Sequence, residues 1–324
     1  MIFMAILKKE LLQEIDSAKR KLDSSKIENA TMRMFKDLED QTIKNISFQD
    51  KDNCERQKEV IANFREAWLY GQTQKVKNLD LITLTEISGR VEPSLRATRQ
   101  SYADFRKEMA QMKGENVPPI DETRIRAHLE RTMEAEKNMK LHPVERAIFD
   151  YFHLVRIQSF SNGNKRTAGI YMNTILRNEG FLPISIADRE SSDYKNYLFG
   201  AIEGFKNRSA DSRDDLYSYQ NPDKFQLQFY DFLGRKELAA LRGAENKLAG
   251  ITVYNIKADY EHPGAGIGLK HKLTNYFRAR QLPFQIKIDR LGKNVKLVGE
   301  MPFRTLDNIV KNYPGIKHIK IEIE

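Results

Sequence analysis

The hydrophobic period of this chain changes once, near residue 250, and that change limits the folds open to it. Before it, apolar residues return every three or four positions. Leu11, Leu12, Ile15, Ala18 and Leu22 do so, as do Val60, Phe64, Ala67 and Trp68, and then Ile148, Phe149, Phe152 and Val155. That spacing is helical. After it, the stretches 251–256, 284–288, 295–298 and 317–324 alternate as strands, with helical patterns over 269–280 and 305–312 between them. The order β-α-β-β-α-β is that of a ferredoxin-like split unit. Pro93, Gly114 and Pro118-Pro119 punctuate residues 89–120, which predicts loop with at most a short β-hairpin. The expected fold is therefore mainly α, followed by a small α+β domain. Its predicted divisions are an N-terminal helical segment over 1–60, a helical core over 61–235 and a C-terminal domain over 248–324.

Composition removes several classes of function. Cys54 is the single cysteine of 324 residues, which excludes intramolecular disulfides and cysteine-built zinc sites. No apolar run is long enough to span a bilayer, and the opening residues lack the basic start and length of a secretory signal. The predicted address is a reducing cytoplasm, or a host cytoplasm if the protein is exported. Of the net charge of +9, residues 251–324 supply +6, from 13 Lys and Arg against 7 Asp and Glu. That bias makes nucleic acid, or a protein target, a candidate partner of the C-terminal domain. The stretch "HPGAGIGLKHK" reads as a glycine-rich loop opening a helix that carries Lys270 and Lys272. Tyr254 and Phe284 are candidate exposed aromatics on the sheet, without the aromatic pattern of RNA-stacking domains.

The stretch "IQSFSNGNKRTAG", residues 157–169, is the candidate site. A helix starting at His142-Pro143 is expected to end near Ile157, and the next to start near Thr167 and run to a cap at Gly180. Between them Gly163 permits backbone geometry that lets successive N–H groups converge on an anion. The positive end of the second helix points to the same place, and Arg166 adds a planar fork for phosphate.

The same residues resemble the core motif of the Fic (Fido) family, His-Pro-Phe-x-(Asp/Glu)-Gly-Asn-(Gly/Lys)-Arg-x-x-Arg. Phe160, Gly163, Asn164, Lys165 and Arg166 match it as they stand, and Ser161 fills its open position. "LHPVERAIFDYFHLVRI" is similar to the helix leading into that motif. "EPSLRATR" and "ENVPPIDETRIRAHLE" are similar to the family's substrate-docking flap and the helix after it. "SSKIEN" resembles the inhibitory motif (Ser/Thr)-x-x-x-Glu-(Gly/Asn) through Ser24, Glu28 and Asn29. The resemblance covers roughly residues 20–205. It implies a helical fold with a hairpin flap, ATP and Mg2+ as cofactors, and transfer of AMP to a hydroxyl side chain of a protein target. It also implies that the Gly-Asn loop and first arginine bind phosphates, and that Glu28 inhibits by pairing with the second arginine.

The chain departs from that motif where the chemistry lies. Gln158 stands at the catalytic histidine, and a carboxamide cannot take a proton near neutral pH. Asn162 stands at the acidic metal ligand and holds magnesium less well than a carboxylate. Gly169 removes the second arginine, and Ser159 replaces the proline. His153 lies five residues before Gln158, about 140° around the helix, and so points elsewhere. His128 reads as a helix-surface residue and His142 as a helix start. Two readings follow: an AMP transferase slowed by loss of its base, or a nucleotide-binding protein that no longer catalyses.

Overall fold

The computed structural model describes residues 6–22, 27–28, 30–31, 34–35, 38, 54–96, 100–108, 120–186, 190–209, 216–248, 252–260, 264–279, 284–288, 294–299, 303–314 and 316–323. They fall into two compact units, Met1–Leu241 and Arg242–Glu324. The helices of the first are α1 (Lys9–Arg20), α2 (Cys54–Thr73), α3 (Leu81–Val91), α4 (Ile125–Met139), α5 (Pro143–Ile157), α6 (Asn164–Asn178), α7 (Ser191–Ser209), α8 (Leu216–Gln220) and α9 (Lys224–Leu248). The last of these runs through the division between the units.

Local signals explain most boundaries. His142 caps α5, its ring accepting from Val144 N–H, while Glu145 reaches back to the His142 N–H and Pro143 occupies the first turn. Glu145 also accepts from Ile6 and Leu7 N–H at 2.7 and 2.8 Å, which pins the start of the described chain to this helix. Asp121 caps a short 3-10 turn over Glu122–Arg124, and α4 follows it directly. At the far end of α6, Gly180 takes a positive φ of 71°, and Phe181 N–H returns to Leu176 O. The hairpin expected within 89–120 is present as one antiparallel bridge between Arg96 and Ala103.

α5 and α6 lie side by side at the centre, with α4 against α5 and with α2 and α3 against α6. Gly71 is what lets α2 approach, because a Cβ there would lie 2.5 Å from Thr174 Oγ1. Phe149, Phe152, Tyr171, Phe205 and Phe229 are completely or almost completely buried. Each such side chain contributes roughly 1.5–3 kcal/mol on removal from water. Among the described residues, no helix is long and apolar enough to cross a membrane.

The second unit is β1 (Thr252–Tyr260), α10 (Gly264–Ala279), β2 (Phe284–Ile288), β3 (Asn294–Gly299), α11 (Phe303–Lys311) and β4 (Ile316–Ile323). Its sheet is antiparallel in the order β2-β3-β1-β4, the ferredoxin-like arrangement. Ile256, Val295 and Leu297 of the sheet bury against Leu269, Leu273, Leu306 and Val310 of the two helices.

Three sequence expectations need correction. α6 begins at Asn164, not near Thr167, because Gly163 at φ 74° already turns the chain into the helix. The glycine-rich stretch before Lys270 is not a loop beyond residue 263; α10 starts at Gly264. His128 is 1% exposed and its Nδ1 meets the Tyr219 hydroxyl at 2.5 Å, so it is a core residue rather than a surface one.

Candidate functional site

The turn between α5 and α6 is held by its own side chains. Asn164 closes it: Oδ1 accepts from Phe160 N–H at 2.9 Å, and Nδ2 donates to Phe160 O at 2.6 Å. Phe160 is buried beside the Phe105 ring, 5.8 Å between centroids. Gly163 is required here twice over. Its positive φ disfavours a side chain, and a Cβ would lie 2.9 Å from Val91 Cγ1. From behind, the buried Arg106 straps the turn. Its backbone N–H donates to Ser159 O at 3.0 Å, and its guanidinium donates to Gln158 O at 2.6 Å, Glu108 O at 2.8 Å and Ile120 O.

The open side of the turn is cationic. No side chain caps α6, so its first N–H groups and the positive end of its dipole face outward. Ser161, Asn162 and Lys165 are exposed, and Lys165 Nζ sits 5.8 Å from the Phe199 ring centre. Arg166 is largely buried, and its Nη2 donates to Glu92 Oε2 at 3.3 Å. Its Nη1 is buried without a hydrogen-bond partner. Burial lowers the Arg166 pKa from its ordinary value, and the Glu92 carboxylate opposes that shift.

Glu92 is the residue that sequence reasoning missed. It is 3% exposed and sits one residue past α3. Besides Arg166 it accepts from Asn162 Nδ2 at 3.0 Å, from Ser94 Oγ at 3.0 Å, and from Arg56 Nη2 at 3.1 and 3.3 Å. Arg56, on α2, is thus a second guanidinium beside the loop, and its bonds to Glu59 and Glu92 raise its pKa. The two guanidiniums thus share one carboxylate of the chain itself. No local signal reveals its place at the turn, since Arg56, Asn162 and Arg166 lie 36, 70 and 74 residues away.

The positions of lost chemistry are equally defined. Gln158 is buried in the left-handed region, φ 52° and ψ 56°, and its Nε2 donates to Val155 O at 2.7 Å. Its side chain is therefore folded back on α5. Asn162 turns its Oδ1 to Gly163 N–H at 2.7 Å and its Nδ2 to Glu92. The oxygen that would meet a metal is engaged with its own backbone, and the nearby carboxylate is held by two guanidiniums. Among the described residues no three His, Cys, Asp or Glu side chains group as metal ligands. These residues do not fit a resident Mg2+. A Cβ on Gly169 would meet nothing within 4 Å, so the second arginine is absent where space for a side chain exists.

Neither histidine of the helical core, His128 or His153, offers a replacement base. His153 is wholly buried among Phe149, Phe205 and Tyr219, and burial lowers its pKa well below the ordinary value. Burial, then Arg156 and Arg124, pushes His128 down to about 3. Ser24 and Asn29 lie outside the described residues. Glu28 is exposed and borders a cavity of about 580 Å³ with Arg65, Trp68 and Arg177. That is the opposite end of α6 from Arg166, about 16 Å along the helix at 1.5 Å per residue.

Comparison with known proteins agrees with this architecture. Residues 29–176 match the Fic/DOC family. The chain is 31% identical over 152 residues to the protein adenylyltransferase Fic of Culex quinquefasciatus, which is 44% of this chain and 29% of that protein. It is 34% identical over 102 residues to that of Drosophila melanogaster, 31% of this chain and 21% of that protein. The aligned stretch thus spans less than a third of these relatives. A Fic-domain-containing signaling protein from Bacteroides thetaiotaomicron shares the fold, with a TM-score of 0.57, 16% identity, and coverage of 75% of this chain and 97% of that one. The α5–turn–α6 unit is thus set in a shared helical scaffold, and residues 29–176 of the chain form a Fic/DOC domain.

Proposed function

We propose that this chain binds a nucleotide by its phosphates at Phe160–Arg166 and is an adenylyltransferase-type Fic protein whose transfer step is impaired. One observation carries the reading. Arg166 presents a buried, unbonded Nη1 beside the uncapped start of α6, while the Gln158 side chain is folded back onto Val155 O. The first provides for an anion and the second removes the base.

The residues divide the task accordingly. Gly163 and Asn164 shape the backbone, Lys165 and Arg166 supply charge, and Arg56 adds a second guanidinium on the Glu92 carboxylate that Arg166 also meets. A phosphate entering here competes with the Glu92 carboxylate for Arg166 and Arg56. ATP suits these donors as the nucleotide, and the acceptor would be a hydroxyl on a protein target, as the names of the relatives suggest. Magnesium, if used, arrives with the nucleotide. Loss of a general base typically costs 10²–10⁴-fold in rate.

The test is transfer from ATP labelled on its α-phosphate to hydroxyl-bearing proteins, including the chain itself. The unaltered chain is expected to label slowly at best. Gln158→His combined with Gly169→Arg is expected to raise labelling by about 10²-fold or more. Rapid labelling by the unaltered chain would overturn the assigned impairment. Absence of both labelling and nucleotide binding in every variant would overturn the reading as a whole.

A further inference from the structure

The C-terminal sheet carries a charge arrangement that nucleotide binding does not use. Ile256, Val295 and Leu297 face the helices, and Ile286 and Ile321 pack on the same cluster. Residues of the other phase therefore lie on the open face. Each strand places one exposed lysine there: Lys287 on β2, Lys296 on β3, Lys257 on β1 and Lys320 on β4. Lys287 stands directly opposite Lys296, and Lys257 directly opposite Lys320. Lys296 faces Asn255, one step along the face from Lys257. In the order β2-β3-β1-β4 the four make a continuous band across the sheet. It spans three inter-strand gaps, about 14 Å.

Like charges directly opposite one another destabilise a sheet. Two such pairs on one four-stranded face gather four cations where a polyanion can meet them together. Asp259 and Glu322 occupy positions of the same phase. Glu322 accepts from Lys320 at 2.9 Å and Lys257 at 3.5 Å, so it tempers one end of the band. No described position of that phase is Phe, Tyr or Trp; Tyr254 and Phe284 alternate in phase with Ile256 and Ile286. The face therefore offers charge without a platform for stacked bases, which suits a paired helix rather than a single strand.

We propose that the open face of this sheet binds the phosphate backbone of double-stranded nucleic acid, with Lys257, Lys287, Lys296 and Lys320 as the contacts. A duplex carries one negative charge per about 1.7 Å of axis, so several phosphates meet the band at once. The contact reads charge and shape, not sequence. It belongs to the second unit alone and stands or falls separately from the nucleotide site.

The experiment is fluorescence anisotropy of a labelled DNA duplex with the full chain across a salt series. The logarithm of affinity is expected to fall against the logarithm of salt with a slope of about −3 to −4. Lys287→Gln with Lys296→Gln should flatten that slope by about two and weaken binding about tenfold or more at low salt. Glu322→Gln should tighten binding. Lys270→Gln with Lys272→Gln, the same loss of charge on α10, should change affinity less than about twofold. The melting temperature of the sheet variant, measured alongside, should stay within a few degrees of the unaltered chain's, because exposed charge pairs contribute little, and lost binding then reports lost contact. Three results would overturn the proposal: equal losses from the α10 and sheet variants, full binding by the sheet variant, or preference for phosphatidylserine vesicles or a single strand over the duplex.

Discussion

The turn at 158–166 and the helical core a few residues before it treat polar groups in opposite ways. In the turn nearly every side chain is engaged: Gln158 on Val155 O, Asn162 on Glu92 and Gly163, Asn164 on Phe160. In the core, both oxygens of Asp150 and both ring nitrogens of His153 are buried without hydrogen-bond partners. Burial raises the Asp150 pKa well above a carboxylate's ordinary value, with Glu136 adding to the shift. Strongly perturbed groups commonly mark catalytic sites, yet here they sit inside packed helices, away from any anion-binding loop. The comparison teaches that the loop is built to hold a charge and not to move a proton. Its buried unbonded groups are the Ser159 hydroxyl and Arg166 Nη1, and neither is a base near neutral pH.

The largest effect should come from taking away what holds the turn. Arg106→Ala removes a buried guanidinium and strands three carbonyl groups, which should cost about 3–5 kcal/mol in urea unfolding. A loss below about 1 kcal/mol would mean that the turn is ordered without its strap.

The core supplies the next. Glu237 is wholly buried, accepts from Leu182 N–H at 3.0 Å, and is pushed up to about 8 by burial. Its folded pKa lies above its unfolded value, so this group's contribution to folding stability falls as pH rises from about 4.5 to about 8 and is level on either side. Glu237→Gln keeps an acceptor for Leu182 and removes the titration. It should match the unaltered chain near pH 4 and exceed it by on the order of 4 kcal/mol above pH 8. Parallel stability curves for the two across that range would contradict the assignment.

Glu92→Gln sharpens the comparison from the other side. It should lower stability by about 2 kcal/mol, because two guanidiniums lose their anion, while raising affinity for inorganic triphosphate several-fold. Weaker triphosphate binding in that variant would show that Glu92 orients the cations rather than competing with the ligand. Smallest of all, Gln158→Gly should relieve a left-handed residue by at most about 1 kcal/mol and leave nucleotide binding unchanged, since the Gln158 side chain does not face the loop.

Much of this was legible in the sequence where the determinants are local. Helix α5 was readable from His142-Pro143 and its apolar stripe, and the split βαββαβ order from alternation around residues 252–323. The early start of α6 escaped because Gly163 itself supplies the turn that a capping side chain would otherwise announce. Gly264–Gly268 escaped because glycine disfavours helix on its own. There the fold overrides propensity: the Tyr313 ring packs over Gly268, where a Cβ would lie 2.0 Å from the hydroxyl and displace it. The candidate loop was readable as a motif, but its electrostatics were not. Glu92, Arg56 and Arg106 come from other helices and loops, and only the fold brings them to the turn.

The central claim is that the turn holds nucleotide phosphate through Arg166. Isothermal titration of Mg-ATP into the full chain tests it most directly, alongside Arg166→Ala. The account predicts saturable one-to-one binding that weakens at least about tenfold in the variant, a loss of about 1.4 kcal/mol or more. Equal affinity of the two proteins, or no saturable heat at millimolar nucleotide, would contradict it.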